Sequence, residues 1–227
     1  MDLSRHSTIF TPEMLTGTPV HVIGCGATGS SLAFSLCKLG VPKIYLYDAD
    51  KVESHNIANQ MFRYTDVDKN KAEALKERLD VMLSYPETKI EAVPEFVTKE
   101  SGHMLRGIIF NVVDSMEARK EIYEAYVKAN FSCEHYIETR MGLKMVKVYS
   151  INGTSKKECD FYEKTLHSDK EVVETSACGT TQTAFPTANL CAQTAVWAML
   201  GRLNKMEVPN ETVFDVPSFN VMTNYVE

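Results

Sequence analysis

A short apolar run, Val20-His21-Val22-Ile23, leads directly into Gly24-Cys25-Gly26-Ala27-Thr28-Gly29, and nothing else in the chain limits its fold so tightly. Glycines at the first, third and sixth positions of such a turn let the backbone reverse sharply. They also bring its N–H groups up to a phosphate at the start of a helix. A second run, Lys43-Ile44-Tyr45-Leu46-Tyr47, then delivers Asp48. The acid therefore arrives about 20 positions after the glycines, where a strand–helix–strand unit sets a carboxylate on a ribose hydroxyl. Between them, Leu32, Leu36 and Leu39 share one face of a helix expected over 28–39. A glycine turn alone can be purely steric, but the turn, the amphipathic helix and the spaced acid together predict a nucleotide site.

The same alternation continues. Strand-like runs at 20–23, 43–47, 89–93 and 107–113 alternate with helical periodicity at 28–39, 69–84 and 117–129. Such a series builds a parallel sheet through right-handed crossovers. Beyond residue 130, segments 135–139 and 143–150 read as two strands around Arg140-Met141-Gly142, close enough for an antiparallel hairpin. The polar stretch 152–176, with its loop reaching to about residue 180, is too long for an ordinary connection and is expected to be functional or mobile. A long apolar helix over 184–200 and a final strand near 212–214 complete the pattern. The 227 residues, 44% of them hydrophobic, suit one core. The expectation is a single α/β domain over 1–227, Rossmann-like and doubly wound, its mostly parallel sheet becoming mixed toward the C-terminus.

A net charge of −6 and a pI near 5.6 supply no electrostatic footprint for nucleic acid or for an anionic membrane. No apolar stretch approaches the roughly 18 residues of a spanning helix. The opening residues Met1-Asp2-Leu3-Ser4-Arg5-His6 lack the apolar core of a signal peptide, so a cytosolic protein is expected. Cysteines 25, 37, 133, 159, 178 and 191 form no C-x-x-C pair, and disulfides are not expected.

Several further segments form a combined pattern: Asp48-Ala49-Asp50-Lys51-Val52, Asn56-Ile57-Ala58-Asn59-Gln60, and Lys71-Ala72-Glu73. Asn111-Val112-Val113-Asp114-Ser115 with Arg119, and Cys178 eight residues before Pro186, extend it. This pattern resembles the ThiF/MoeB group of ubiquitin-activating-type adenylyltransferases, which read D-x-D-x-V, then N-L-x-R-Q, then a lysine before A-E. The resemblance covers nearly the whole chain. It implies an ATP- and magnesium-dependent enzyme in which a carboxylate attacks the α-phosphate, giving an acyl-adenylate and pyrophosphate. The carboxylate it implies is the C-terminal glycine of a ubiquitin-like or sulfur-carrier protein, or else a small carboxylate substrate, and the assembly a homodimer.

On that resemblance Gly24, Gly26 and Gly29 admit the nucleotide and Asp48 accepts from its ribose. Asp50, Asn56 and Gln60 shape the phosphate and metal surroundings, although Asp50 and Asn56 suit an Asx-turn or helix cap equally well. Lys71 corresponds to the lysine that neutralises the triphosphate; taken alone it equally reads as a solvated helix lysine beside Lys69 and Lys76. Asp114, after an apolar strand, would be the magnesium ligand. Cys178 would carry a thioester or, alternatively, pack as a small apolar residue at the start of the long helix. Cys133, Cys159 and Cys191 read as structural, and His55 and His135 as surface or satisfied core histidines.

Two departures stand out. Family members often hold zinc with two C-x-x-C pairs; here only Cys159 stands near the first pair, with Tyr162 in the partner position, so zinc is not expected. Where the family places an arginine on the triphosphate, this chain has Asn59. Losing one such donor costs about 10² to 10³ in rate. Arg63 is one candidate to replace it, and Arg5 another, the nearest equivalent of an N-terminal arginine that reaches the partner subunit. The alternative is a nucleotide-binding scaffold or partner subunit without turnover. A nicotinamide dehydrogenase would share only the unit from Gly24 to Asp48.

Overall fold

Every side chain of β1 (Val20–Ile23) is buried, as a strand covered on both faces requires. Val20 and Val22 join one apolar cluster and Ile23 the other. The next strand repeats the division: Ile44 and Leu46 face the first cluster, Tyr45 and Tyr47 the second. The computed structural model describes residues 2–83, 88–101, 104–129, 132–167 and 182–226. Those residues form one eight-stranded sheet between two helical layers.

In chain order the strands are β1, β2 (Lys43–Tyr47), β3 (Lys89–Val93), β4 (Gly107–Asn111), β5 (Cys133–Met141), β6 (Met145–Asn152), β7 (Glu211–Asp215) and β8 (Asn220–Asn224). Across the sheet they run β3-β2-β1-β4-β5-β6-β7-β8. The first five in that order are parallel. The last three are antiparallel additions. The chain steps outward from β1 to β3 and then returns to the other side of β1 as β4, so the strand order reverses between β1 and β4. Ligands of open α/β sheets bind outside the carboxyl ends of strands at such a reversal.

Helices α1 (Ala27–Leu39), α2 (Lys71–Leu83) and α5 (Phe185–Leu203) contribute to the first cluster. α3 (Met116–Tyr123) and α4 (Lys156–Glu163) line the second. α1 stops where Gly40 takes φ 81°, and its N–H and that of Val41 cover carbonyls of the last turn. α5 contains Pro186 in its first turn, where a missing N–H costs nothing. None of the described helices is long and apolar enough to cross a membrane.

The expected doubly wound sheet with a mixed C-terminal part is what the chain forms, and three local features differ. The stretch starting at 152 was expected to be irregular, yet it contains α4, capped by Ser155 and burying Tyr162. A two-turn polar helix with one buried residue leaves no visible period in the sequence. The helix expected to 129 is α-helical only to Tyr123 and continues as a π-helical turn, Glu124–Lys128. The strand near 212–214 is followed by β8, all of whose residues are exposed. It is held by pairing with β7, so no hydrophobic alternation announces it.

The glycine turn gives the sharpest stability test. A Cβ on Gly29 would stand 1.9 Å from the Gly24 carbonyl oxygen, whereas one on Gly26 would meet nothing within 4 Å. Gly29→Ala is expected to destabilise by more than about 3 kcal/mol. Gly26→Ala should cost about 1 kcal/mol or less. Urea denaturation of both variants checks the contrast.

Candidate nucleotide site

The turn after β1 is shaped by its collision with the end of β4. Gly24 has φ +99°, and a Cβ there would press 3.0 Å from the Val112 carbonyl oxygen. Its N–H donates to Tyr47 O at 2.8 Å, and Val112 N–H donates to Ile23 O at 3.0 Å. The loops after β1, β2 and β4 are thus sewn together at one edge. Gly26 caps α1 with open space above its Cα, leaving room for a ligand against the first-turn N–H groups of the helix.

Asp48 holds this turn. One carboxylate oxygen accepts from Cys25 N–H at 2.7 Å and the other from Asp50 N–H at 2.9 Å. Burial pushes the Asp48 carboxyl up, while the Cys25 N–H donor opposes that shift. Asp50 then pairs with Lys71, Nζ to Oδ2 at 2.9 Å. Lys71 opens α2, and its own N–H donates to Asp50 O at 2.8 Å. Its side chain is 12% exposed, against 43% for Lys69 and 39% for Lys76, which pair outward with Glu77 and Asp80. Lys71 is therefore not one of the solvated helix lysines.

Asn70 is a member of this cluster that the sequence reading did not single out. Its Nδ2 donates to Asp48 O at 2.8 Å and Asp50 O at 3.2 Å, while its Oδ1 accepts from Glu73 N–H and caps α2. The Asn-x-x-Glu spacing ahead of a helix was the available signal. Asn56 is buried, and its Oδ1 accepts from Glu53 N–H at 2.9 Å, a cap on the 3-10 turn Ser54–Ala58. Gln60 lines a cavity of about 230 Å³ with Phe62, Arg78 and Phe185, and its Oε1 is buried without a partner.

Asp114 lies on the other side of the turn, three residues after β4, with its side chain exposed. Its backbone carbonyl accepts from Arg119 Nη1 at 3.1 Å. Ser115 caps α3 by accepting from Ala118 N–H. Asp114 after β4, the open space over Gly26 after β1 and Lys71, paired with Asp50 after β2, thus all lie at the carboxyl ends of strands beside the reversal of strand order.

Asn59 donates through Nδ2 to Thr183 Oγ1 just ahead of α5, and its Oδ1 is buried with no partner among the described residues. Neither proposed substitute joins it. Arg63 is exposed, with its N–H on Asp66. Arg5 neighbours His6, whose Nε2 lies 3.3 Å from Leu39 O at the far end of α1, about 20 Å from the glycine turn by helical rise. Cys178 lies outside the described residues.

The other cysteines and histidines stand apart. Burial raises Cys25 well above, and Cys37 and Cys191 to about 12, so these thiols stay protonated. Cys159 Sγ is 3.6 Å from Gly153 O, and no three His, Cys, Asp or Glu side chains among the described residues form a metal cluster. His55 is exposed beside Glu53. His135 differs from a satisfied core histidine: its Nδ1 is buried without a partner, and burial lowers its pKa.

Comparison with known proteins bears on the family and the fold. The ThiF family model matches residues 12–225. Ubiquitin-like modifier-activating enzyme 5 of Drosophila mojavensis is 30% identical over 146 residues, 58% of this chain and 36% of that protein. The Rattus norvegicus enzyme of the same name is 29% identical over 138 residues, 55% of this chain and 34% of its own length. The matched stretch is thus about a third of those relatives. Among solved structures, E. coli MccB superposes with a TM-score of 0.75 at 19% identity, covering 95% of this chain and 64% of MccB. PaaA does so with a TM-score of 0.73 at 18% identity, covering 95% and 75%. At these identities the structural likeness speaks to the fold.

Asn70→Ala removes both a helix cap and the tie between Asp48, Asp50 and α2. A loss of about 1–2 kcal/mol is expected from thermal or urea melts.

Proposed function

The chain belongs to the ThiF family, and on that premise we propose that it is an ATP-dependent adenylyltransferase that activates a carboxylate as an acyl-adenylate. What supports this reading is the placement of open backbone at Gly26, the largely buried Lys71 and the exposed Asp114 at the carboxyl ends of β1, β2 and β4, where an α/β sheet binds its ligand. In this reading the first-turn N–H groups of α1 receive phosphate. Asp48, with lone pairs left on both oxygens, accepts from the ribose. Asp50 holds Lys71 until the triphosphate takes over that ammonium, which then opposes charge growing on the α-phosphate and pyrophosphate. Positioning and charge neutralisation are the protein's main tasks in such transfers.

Magnesium fits the donors present. It binds through one or two carboxylates plus substrate phosphates and keeps its waters, so no preformed three-residue cage is needed. Asp114 would hold it, and the ion would supply charge neutralisation at the phosphates. The substrate we propose is the C-terminal glycine of a ubiquitin-like or sulfur-carrier protein or a peptide carboxylate, with Cys178 as acceptor in a later thioester step. A homodimer would bring Arg5 to the partner's site, since its own is the length of α1 away. Asn59 favours a second reading, a family member that binds nucleotide without turnover, its amide engaged by Thr183 in place of a permanent charge.

ATP-dependent pyrophosphate exchange, with candidate carrier proteins offered, tests the reading. Asp114→Ala is expected to abolish exchange. Lys71→Ala should lower turnover by roughly 10²-fold with a smaller effect on ATP affinity. Calorimetry should show ATP with magnesium binding far better than NADH; tight NADH binding with none of ATP would sink the proposal. Asn59→Arg separates the two readings: a gain in exchange marks a weakened enzyme, and ATP binding without exchange in both forms favours the scaffold.

A further inference from the structure

The second helical layer hides a charged hub. Glu138 is 0% exposed on β5, in register with Asn111, the last residue of β4. Tyr136, Glu138 and Arg140 alternate on the same face of the strand. Glu138 accepts from Arg140 Nε at 3.1 Å and Nη2 at 2.8 Å, and from the Tyr162 hydroxyl at 2.8 Å. Its Oε1 lies 2.9 Å from Arg119 Nε, at ion-pair distance although Nε is not aligned as a hydrogen-bond donor. Burial first, and the Glu138 charge next, push the Tyr136 and Tyr162 hydroxyls above the usual tyrosine range, so both stay protonated. Arg140 also donates to Thr165 O at 2.7 Å, tying in the end of α4.

Arg119 connects this hub to the candidate site. Its Nη2 donates to Thr139 O at 2.9 Å and its Nη1 to Asp114 O at 3.1 Å. The guanidinium is therefore consumed by two carbonyls and one carboxylate, with 9% of the side chain exposed. With those contacts made, it touches the backbone of the residue that would hold magnesium. An arginine buried this far needs a counter-charge. If Glu138 were neutral, the carboxylate of Asp114 would be an anion on a residue whose backbone Arg119 already contacts.

We propose that Glu138 is a positioning residue that acts through Arg119, keeping the guanidinium on the Asp114 backbone so that the Asp114 carboxylate stays free to face the nucleotide. The role rests on the adenylation reading, but its geometry does not. Glu138→Gln preserves the shape and the Tyr162 acceptor while removing the charge. The pyrophosphate-exchange kcat should then fall roughly 10- to 100-fold, with the KM for ATP changing less than about threefold. Amide hydrogen exchange at residues 114–118 should quicken. The double variant Glu138→Gln/Arg119→Met should be no slower than Glu138→Gln alone, because the freed guanidinium is gone. Independent structural damage would instead multiply.

Full activity and unchanged amide exchange in Glu138→Gln would overturn the proposal, as would a double variant with multiplied losses. Should Glu138→Gln fail to fold, Arg119→Lys keeps the charge but loses the fork. The expected result is then lowered kcat and faster exchange at 114–118, and wild-type values for both would refute the role. A wild-type protein without pyrophosphate exchange would sink the adenylation reading. The amide comparison at 114–118 would still decide whether Glu138 positions Asp114.

Discussion

Two hydrogen bonds to one buried carboxylate organise this molecule. Asp48 is 9% exposed and spends one oxygen on the Cys25 N–H and the other on the Asp50 N–H. The glycine turn is thereby fastened to the end of β2, and Asn70 fastens the start of α2 to the same point. A buried carboxylate is tolerated only when donors surround it, and here the donors are backbone groups that would otherwise be left unpaired at strand ends. The clamp fixes the direction in which α1 starts, and so where its free N–H groups point. An acid that reads as a ribose ligand is first a structural tie.

The two faces of the sheet are built on different principles. The face under α1, α2 and α5 is mainly aliphatic, with Val22, Leu32, Leu36, Leu46 and Leu79 among its members beside Phe10 and Phe110. It depends on shape and exclusion of water alone. The other face interleaves Tyr123, Tyr136, Tyr149 and Tyr162 with Glu138, Arg119 and Arg140. Such a layer holds only when each polar group is answered, and in return it specifies one arrangement. That layer lies beneath Asp114, while the aliphatic layer carries α1. The candidate site thus has hydrocarbon packing beneath α1 and a hydrogen-bonded network beneath Asp114.

Much of the site could be read from the chain alone, and particular residues show why the remainder could not. Gly24, Gly29 and Asp48 announce themselves because their constraints act within one turn or one strand–helix–strand unit. Lys71 is indistinguishable in sequence from Lys69 and Lys76; only the position of Asp50, 2.9 Å away, separates it. Arg5 and Arg63 read alike in the sequence, whereas in the fold His6, next to Arg5, lies against the far end of α1 and Arg63 lies at the surface. Glu138 gave one weak signal, a charge inside an apolar strand, and its two arginine partners come from different elements.

The amino-acid sequence by itself determined the units: the glycine turn, the spacing to Asp48, the parallel βαβ series and the long apolar α5. Periodicity and turn chemistry act over a few residues, so they are written locally. Tertiary structure alone decided that β4 lies against β1, bringing Val112 onto Gly24 and Asp114 to the glycine turn. It decided too that Lys71 turns inward and that Glu138 on β5 answers Arg119 on α3. Those outcomes depend on which distant segments bury each other's surfaces and satisfy each other's charges, and no local pattern encodes that choice.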